Sequence, residues 1–161
     1  MHNGPVTDVA EIIRDSRTVL LVDWPDRDVP DTLARAGYGV VSDDGPSADE
    51  YNAYEMVEGE VRIRRVGGPP EHVDLVYTHR PVDELPDIVE QARALGARAV
   101  WIQSGLDATG ARDPRGCWLA PERSTEAREI VESAGLVYIE APYIGDAVRR
   151  VSAGESAGEE V

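Results

Sequence analysis

The chain predicts a doubly wound α/β domain: about five parallel strands with helices on both faces, and a small β-hairpin after the second strand. Three observations predict it. Short apolar runs of strand length alternate with amphipathic stretches of helical period, which implies parallel strands joined by right-handed crossovers. Gly37, Gly96 and Gly135 each stand just past the end of such a helical stretch, where a left-handed backbone closes a helix. One stretch, "YNAYEMVEGEVRIRRVGGPP", instead carries two runs of strand character around a turn at Glu58-Gly59.

The elements follow in order. "VTDVAEIIRDS" is a short first helix, with Thr7 or Asp8 as its cap and Val9, Ile12 and Ile13 on one face. Thr18 to Val22 is an apolar run, as expected of a strand buried on both faces. After a turn rich in carboxylates, Pro30 suits a helix's first turn; Val29, Leu33 and Ala36 are expected inward, and Gly37 ends the helix. "YGVV" is the second strand, and the hairpin lies beside it. "HVDLVYTHR" is the third parallel strand, and "PVDELPDIVEQARALGA" a helix with Leu85, Ile88, Val89, Ala92 and Leu95 on one face. "RAVWIQSGL" is the fourth, followed by a loop punctuated by Gly and Pro, "DATGARDPRGCWLAPER". "STEAREIVESAGL" is a helix bearing Ala127, Ile130, Val131 and Ala134; "LVYIE" is the last strand and "YIGDAVRRV" a terminal helix. Residues 1–151 form a single domain, whereas the tail "SAGESAGEEV", 152–161, has little to bury and is expected to be disordered.

Charge narrows the partners. Asp and Glu number 31 against 16 basic residues, all arginine, for a formal net charge of −15. Such a field repels polyanions, so nucleic acid and anionic membranes are excluded as partners. No apolar run reaches the length of a membrane span, and "MHNGPVTDVAEII" has neither a basic n-region nor an apolar h-region. With a single cysteine, Cys117, no internal disulfide forms; a cytoplasmic protein is expected.

Two segments carry a resemblance. "DLVYTHRPVDELPDIVEQARALGARAVWIQSGL", followed by "EAREIVESAGLVYIE", resembles the stand-alone CoA-binding Rossmann domains, relatives of the CoA-binding part of succinyl-CoA synthetase. The matching features are Arg80 after the third strand, Gly96-Ala97 at a helix end, Trp101-Ile102-Gln103 with Gly105, and Ala134-Gly135-Leu136. The resemblance covers about Asp8 to Ile144, and implies a Rossmann-like fold and coenzyme A or a related nucleotide as ligand, bound without catalysis. The first turn departs from the family pattern: Asp23 stands where the family has glycine, and only Pro25 and Arg27 echo the rest. "SDDGP" replaces the family's Asn-containing segment after the second strand, and the 107–121 loop looks like an insertion.

Open α/β sheets bind ligands outside the carboxyl ends of their strands, where strand order reverses. If the order is 3-2-1-4-5, that crevice lies between Asp23-Trp24-Pro25-Asp26-Arg27 and Gln103-Ser104-Gly105, flanked by Asp43-Asp44 and Tyr77-Thr78-His79-Arg80. Trp24 could stack on a base, and Arg27 and Arg80 could grip phosphate oxygens bidentately. Asp23, Asp26, Asp28, Asp43 and Asp44 share the same rim. Each carboxylate within about 4–6 Å of a phosphate opposes binding by roughly a kcal/mol or more at an effective dielectric near 20.

Three functions stay open at this point. One is non-catalytic binding of coenzyme A, an acyl-CoA or a related adenine nucleotide. Another is a degenerate scaffold that has lost the nucleotide and serves as a protein–protein interaction module, as a homodimer or with an unknown partner. The third is an enzyme acting on a thioester through His79 or Cys117; neither shows a readable catalytic partner, and a polar strand end and a structural thiol are the plainer readings. The Asp-rich turns match no calcium loop, so solvated acids are expected rather than a metal site. Arg62, Arg64 and Arg65 read as a charged edge strand that discourages sheet-to-sheet association.

Overall fold

The structure, a computed structural model, describes residues 9–22, 28–43, 51–78, 82–102, 123–140 and 144–152. Helix α1 is Val9–Asp15, followed by β1 (Thr18–Val22), α2 (Asp28–Arg35) and β2 (Gly39–Asp43). The hairpin is β3 (Tyr51–Val57) and β4 (Glu60–Val66). β5 (Leu75–Thr78), a 3-10 turn at Val82–Glu84, α3 (Leu85–Ala94) and β6 (Ala99–Ile102) come next. The chain ends with α4 (Ser124–Ser133), β7 (Val137–Glu140) and α5 (Ile144–Ser152).

Seven strands form one sheet in the order β4-β3-β2-β1-β5-β6-β7. The central strands β2, β1, β5, β6 and β7 run parallel, and the hairpin extends the sheet antiparallel beyond β2. The α/β architecture expected from the sequence is therefore present, with its five parallel strands. The strand neighbours differ from the order used to place the crevice. β5, the third parallel strand, lies beside β1 and separates it from β6. The reversal of winding falls between β1 and β5. The chain builds outward from β1 through β2 and the hairpin, then returns to pair β5 with the still-open edge of β1.

That reversal puts helices on both faces. Along β1, Leu20 and Val22 face a cluster with Ile88 and Ala92 of α3 and Val131 of α4. Val19 and Leu21 face the other cluster, with Ile12 of α1, Leu33 of α2 and Ile144 of α5. Strands covered on both sides must be apolar at every position, which explains the unbroken runs. Trp101 and Tyr77, both fully buried, meet edge to face at 6.0 Å between ring centroids in the second cluster.

Where burial is described, the helix stripes agree with the periodicity except at one position. In α2 the buried residues are Val29, Pro30, Leu33 and Ala34, while Ala36 is exposed. α2 ends at Arg35, so Ala36 sits in the closing turn and the inward stripe is completed one step earlier. Gly37, Gly96 and Gly135 all have positive φ, as their places after helices predict. At the hairpin tip Glu58 and Gly59 also have positive φ, 53° and 84°, the twist a two-residue turn needs to join twisted strands. β4 is one edge of the sheet. Arg64 pairs with Glu55 across the hairpin at 2.7 Å, so this edge is charged as expected.

Candidate functional site

Strand register aligns the carboxyl ends in one row. Asp43 is paired with Val22, Val22 with Thr78, Thr78 with Ile102 and Ile102 with Glu140; each is the last residue of its strand. At the reversal, the crossover from β1 runs through α2 on one face and that from β5 through α3 on the other. The two connections part there, which is how a crevice opens in such a sheet.

Of the residues assigned to the site from the sequence, Thr78 is described. It closes β5 between Val22 and Ile102 and is 1% exposed. Trp24, Pro25 and Arg27 lie outside the described residues, as do His79, Arg80, Gln103, Ser104 and Gly105. So do Cys117, Trp118 and the acids Asp23, Asp26 and Asp44. The corrected strand order nevertheless changes the crevice. It is bounded by the ends of β1 and β5, Val22 and Thr78, so the β5 end becomes a wall of the crevice instead of its flank.

Asp43 is the buried carboxylate of this rim, 2% exposed at the end of β2. Gln91 of α3 donates from Nε2 to its Oδ2 at 2.8 Å, and the same amide nitrogen is 3.4 Å from the Tyr51 hydroxyl. Sequence reasoning missed Gln91 and Tyr51. A signal was present for the first: Gln91 lies three residues after Ile88 and four before Leu95, on the apolar stripe of its helix, where a glutamine needs a buried partner. Its Oε1 is buried, with no hydrogen-bond partner among the described residues. A cavity of about 530 Å³ runs beside this contact, lined by Tyr51 and Pro69 on one wall and by Asp87, Glu90, Gln91 and Leu95 on the other.

Elsewhere near the rim, Arg123 before α4 is held by Asp83 and Glu126, each at 3.0 Å. The hydrogen bonds it donates to Asp83 and Glu126 raise its pKa above the ordinary arginine value, so it stays a cation already engaged by acids. At the opposite edge, Asp74 ties the amino end of β1. Its Oδ2 accepts the backbone N–H groups of Arg17 at 2.8 Å and Thr18 at 3.1 Å, and its Oδ1 meets His72 Nε2 at 2.8 Å. Among the described residues no group of three or more His, Cys, Asp or Glu side chains is arranged to hold a metal ion, and no helix is long and apolar enough to cross a membrane.

Comparison with known proteins agrees with this geometry. The chain is similar to the uncharacterized protein YneT of Bacillus subtilis, 28% identical over 112 residues, covering 66% of this chain and 78% of that one. The fold is shared with solved structures. A hypothetical protein from Pyrococcus horikoshii superposes with a TM-score of 0.53 at 21% identity, over 94% of this chain and 98% of that one. Cell-free ID.343 from Thermus thermophilus gives 0.53 at 20% identity, over 88% and 94%. Residues 26–145, most of the chain, match the family described as CoA binding domain. With its winding, its aligned strand ends and this match, the chain belongs to the CoA binding domain family.

Proposed function

We propose that the chain binds coenzyme A, an acyl-CoA or a related adenine nucleotide at the carboxyl ends of its parallel strands, as a binding module without catalysis of its own. The observation that carries this reading is the reversal of winding at β1 and β5, with five strand ends in one row, in a member of the CoA binding domain family. α2 and α3 start on that side of the sheet, and helix N-termini offer N–H groups and partial positive charge to phosphate. In this reading Trp24 stacks on the base and Pro25 shapes the turn beside it. Arg27 and Arg80 neutralise phosphate oxygens. Thr78, His79, Gln103, Ser104 and Gly105 supply hydrogen-bonding groups along the crevice.

Isothermal titration with coenzyme A at low and moderate salt, with ADP as control, tests it. Micromolar binding that weakens about tenfold or more in Arg27→Ala and Arg80→Ala is expected, since each removes a charge-assisted contact. No heat and no thermal shift at millimolar coenzyme A would overturn it. The acidic rim supports a second reading, a scaffold whose partner is a protein, as a homodimer or in a mixed complex. Sedimentation equilibrium separates the two: a tight dimer indifferent to nucleotide favours the scaffold.

A further inference from the structure

Among the described residues the exposed large apolar side chains all lie on the hairpin: Met56 is 43% exposed, Val57 40% and Ile63 47%. The hairpin also ends the sheet, with β4 as an edge strand. Its charge differs from that of the chain as a whole. Between Tyr51 and Val66 three acids, Glu55, Glu58 and Glu60, stand against three arginines, Arg62, Arg64 and Arg65, whereas the whole chain carries −15. A second copy, repelled by the net charge elsewhere, can approach here. The hairpin register sorts the side chains onto two faces. Met56 with Val61 and Tyr54 with Ile63 share the α2 side, where Tyr54 and Val61 pack against the second cluster. Glu55 with Arg62, Ala53 with Arg64 and Val57 with Glu60 share the other. A two-residue turn closes on a hydrogen-bonded pair, here Val57 and Glu60, and bonded pairs alternate along the ladder. Val61 and Ile63 therefore turn their backbone N–H and C=O groups toward the open edge.

We infer that a second copy of the chain docks here, β4 against β4 in antiparallel sense about a twofold axis at Arg62, so that one sheet runs through the dimer. Such an interface is self-complementary, and each match occurs twice. With Arg62 on the axis, Val61 lies opposite the partner's Ile63 and Glu60 opposite the partner's Arg64. Met56, Val61, the partner's Ile63 and the partner's Tyr54 then form one apolar row across the joint. On the other face Arg64, paired with Glu55 at 2.7 Å, gains the partner's Glu60. Arg62 meets its own copy at the axis with Glu60 beside it at 3.8 Å. The charges that discourage pairing with strands in general thus select one register. A slip of two residues one way sets Arg62 against the partner's Arg64; a slip the other way leaves Ile63 opposite Gly59 of the turn. β3 and β2 separate β4 from β1, so the dimer leaves the ends of β1 and β5 open and is independent of the nucleotide reading.

Sedimentation equilibrium of the wild type should show a weak dimer, with a Kd of about 10 μM, as suits an interface of small area. A monomer up to about 200 μM overturns the inference and leaves the nucleotide site standing. Glu60→Arg and Arg64→Glu, each checked for folding by its thermal melt, should each dimerise about tenfold more weakly, because like charges then face each other twice. Their equimolar mixture should recover to within about threefold of the wild type, since every arginine again meets a glutamate on the other copy. A mixture as weak as its parts, or variants that dimerise like the wild type, overturns it. Should either variant fail to fold, Arg62→Cys in a Cys117→Ser background decides. Residues on the axis are within disulfide reach, whereas Arg64→Cys would lie about 13 Å from its own copy. Mild oxidation should cross-link the first and not the second; cross-linking of both or of neither overturns the inference.

Discussion

Replacing Gly96 by alanine should destabilise the protein more than the same change at Gly135, for a reason that can be isolated. Both glycines end a helix with nearly the same backbone, φ +80° and +84°. Both helices close alike, the residue after the glycine donating back to the helix: Ala97 to Ala92 at 2.9 Å, Leu136 to Val131 at 3.3 Å. A left-handed non-glycine residue costs about 1–2 kcal/mol, and that is all Gly135→Ala incurs, since nothing lies within 4 Å of an added Cβ. At Gly96 the Cβ would sit 2.8 Å from His72 Nδ1. The exposed ring can swing aside, but then loses Asp74 at 2.8 Å. An exposed pair of this kind contributes about 0.2–1 kcal/mol, so the total at Gly96 is about 1.2–3 kcal/mol. Urea unfolding of both variants, in wild-type and His72→Ala backgrounds, measures this directly. In the His72→Ala background the two substitutions should cost the same. Equal costs in the wild type, or an excess at Gly96 that survives removal of His72, would refute the ring contact as its cause.

Asp74 also sets part of the acid response. Burial alone would raise its pKa, but the backbone N–H groups of Arg17 and Thr18, with His72, outweigh that and hold it below the ordinary aspartate value. A lowered carboxyl stabilises the fold above its unfolded pKa, and this contribution disappears as pH falls through the lowered value. Melting temperature followed into acid should therefore fall less steeply for Asp74→Asn than for the wild type; parallel slopes would show that Asp74 is not a source of the acid limb. Trp101→Ala should cost about 3–5 kcal/mol by urea unfolding, because the indole is fully buried against Tyr77; a loss below about 1 kcal/mol would mean the second core collapses around the gap.

The acidity of the chain bears on what it can bind. A net charge of −15 and carboxylates around the strand ends oppose any polyanion, and favour the less charged members of a ligand class over the more charged. Arg123, the described cation near the rim, is held by Asp83 and Glu126. In the reading proposed above Arg27 and Arg80 meet the nucleotide's phosphates, so their removal is a sharper test of binding than any change of base or acyl group.

The sequence by itself determined the local elements, their order and the family. Apolar runs at Thr18–Val22 and around Val100 could only be strands covered on both faces, glycines closed three helices, and Glu58-Gly59 turned the hairpin. These features are short-range: the spacing of apolar side chains and the backbone freedom of one residue are written within a few positions. Strand neighbours are not written that way. Whether the third or the fourth parallel strand lies against β1 depends on which edge remains open after the hairpin extends the sheet, and either order preserves the same apolar runs. The candidate site shared this limit. Thr78 and Asp43 were legible only as flanks of the crevice, Asp43 as an acid beyond "YGVV" rather than the last residue of β2, and the grip of Gln91 on Asp43 joins residues 48 positions apart and exists only once α3 has packed against the sheet. Tertiary structure decided that Asp43 would be a buried, oriented carboxylate rather than a solvated turn acid, because only packing can remove its water and supply a fixed donor in its place.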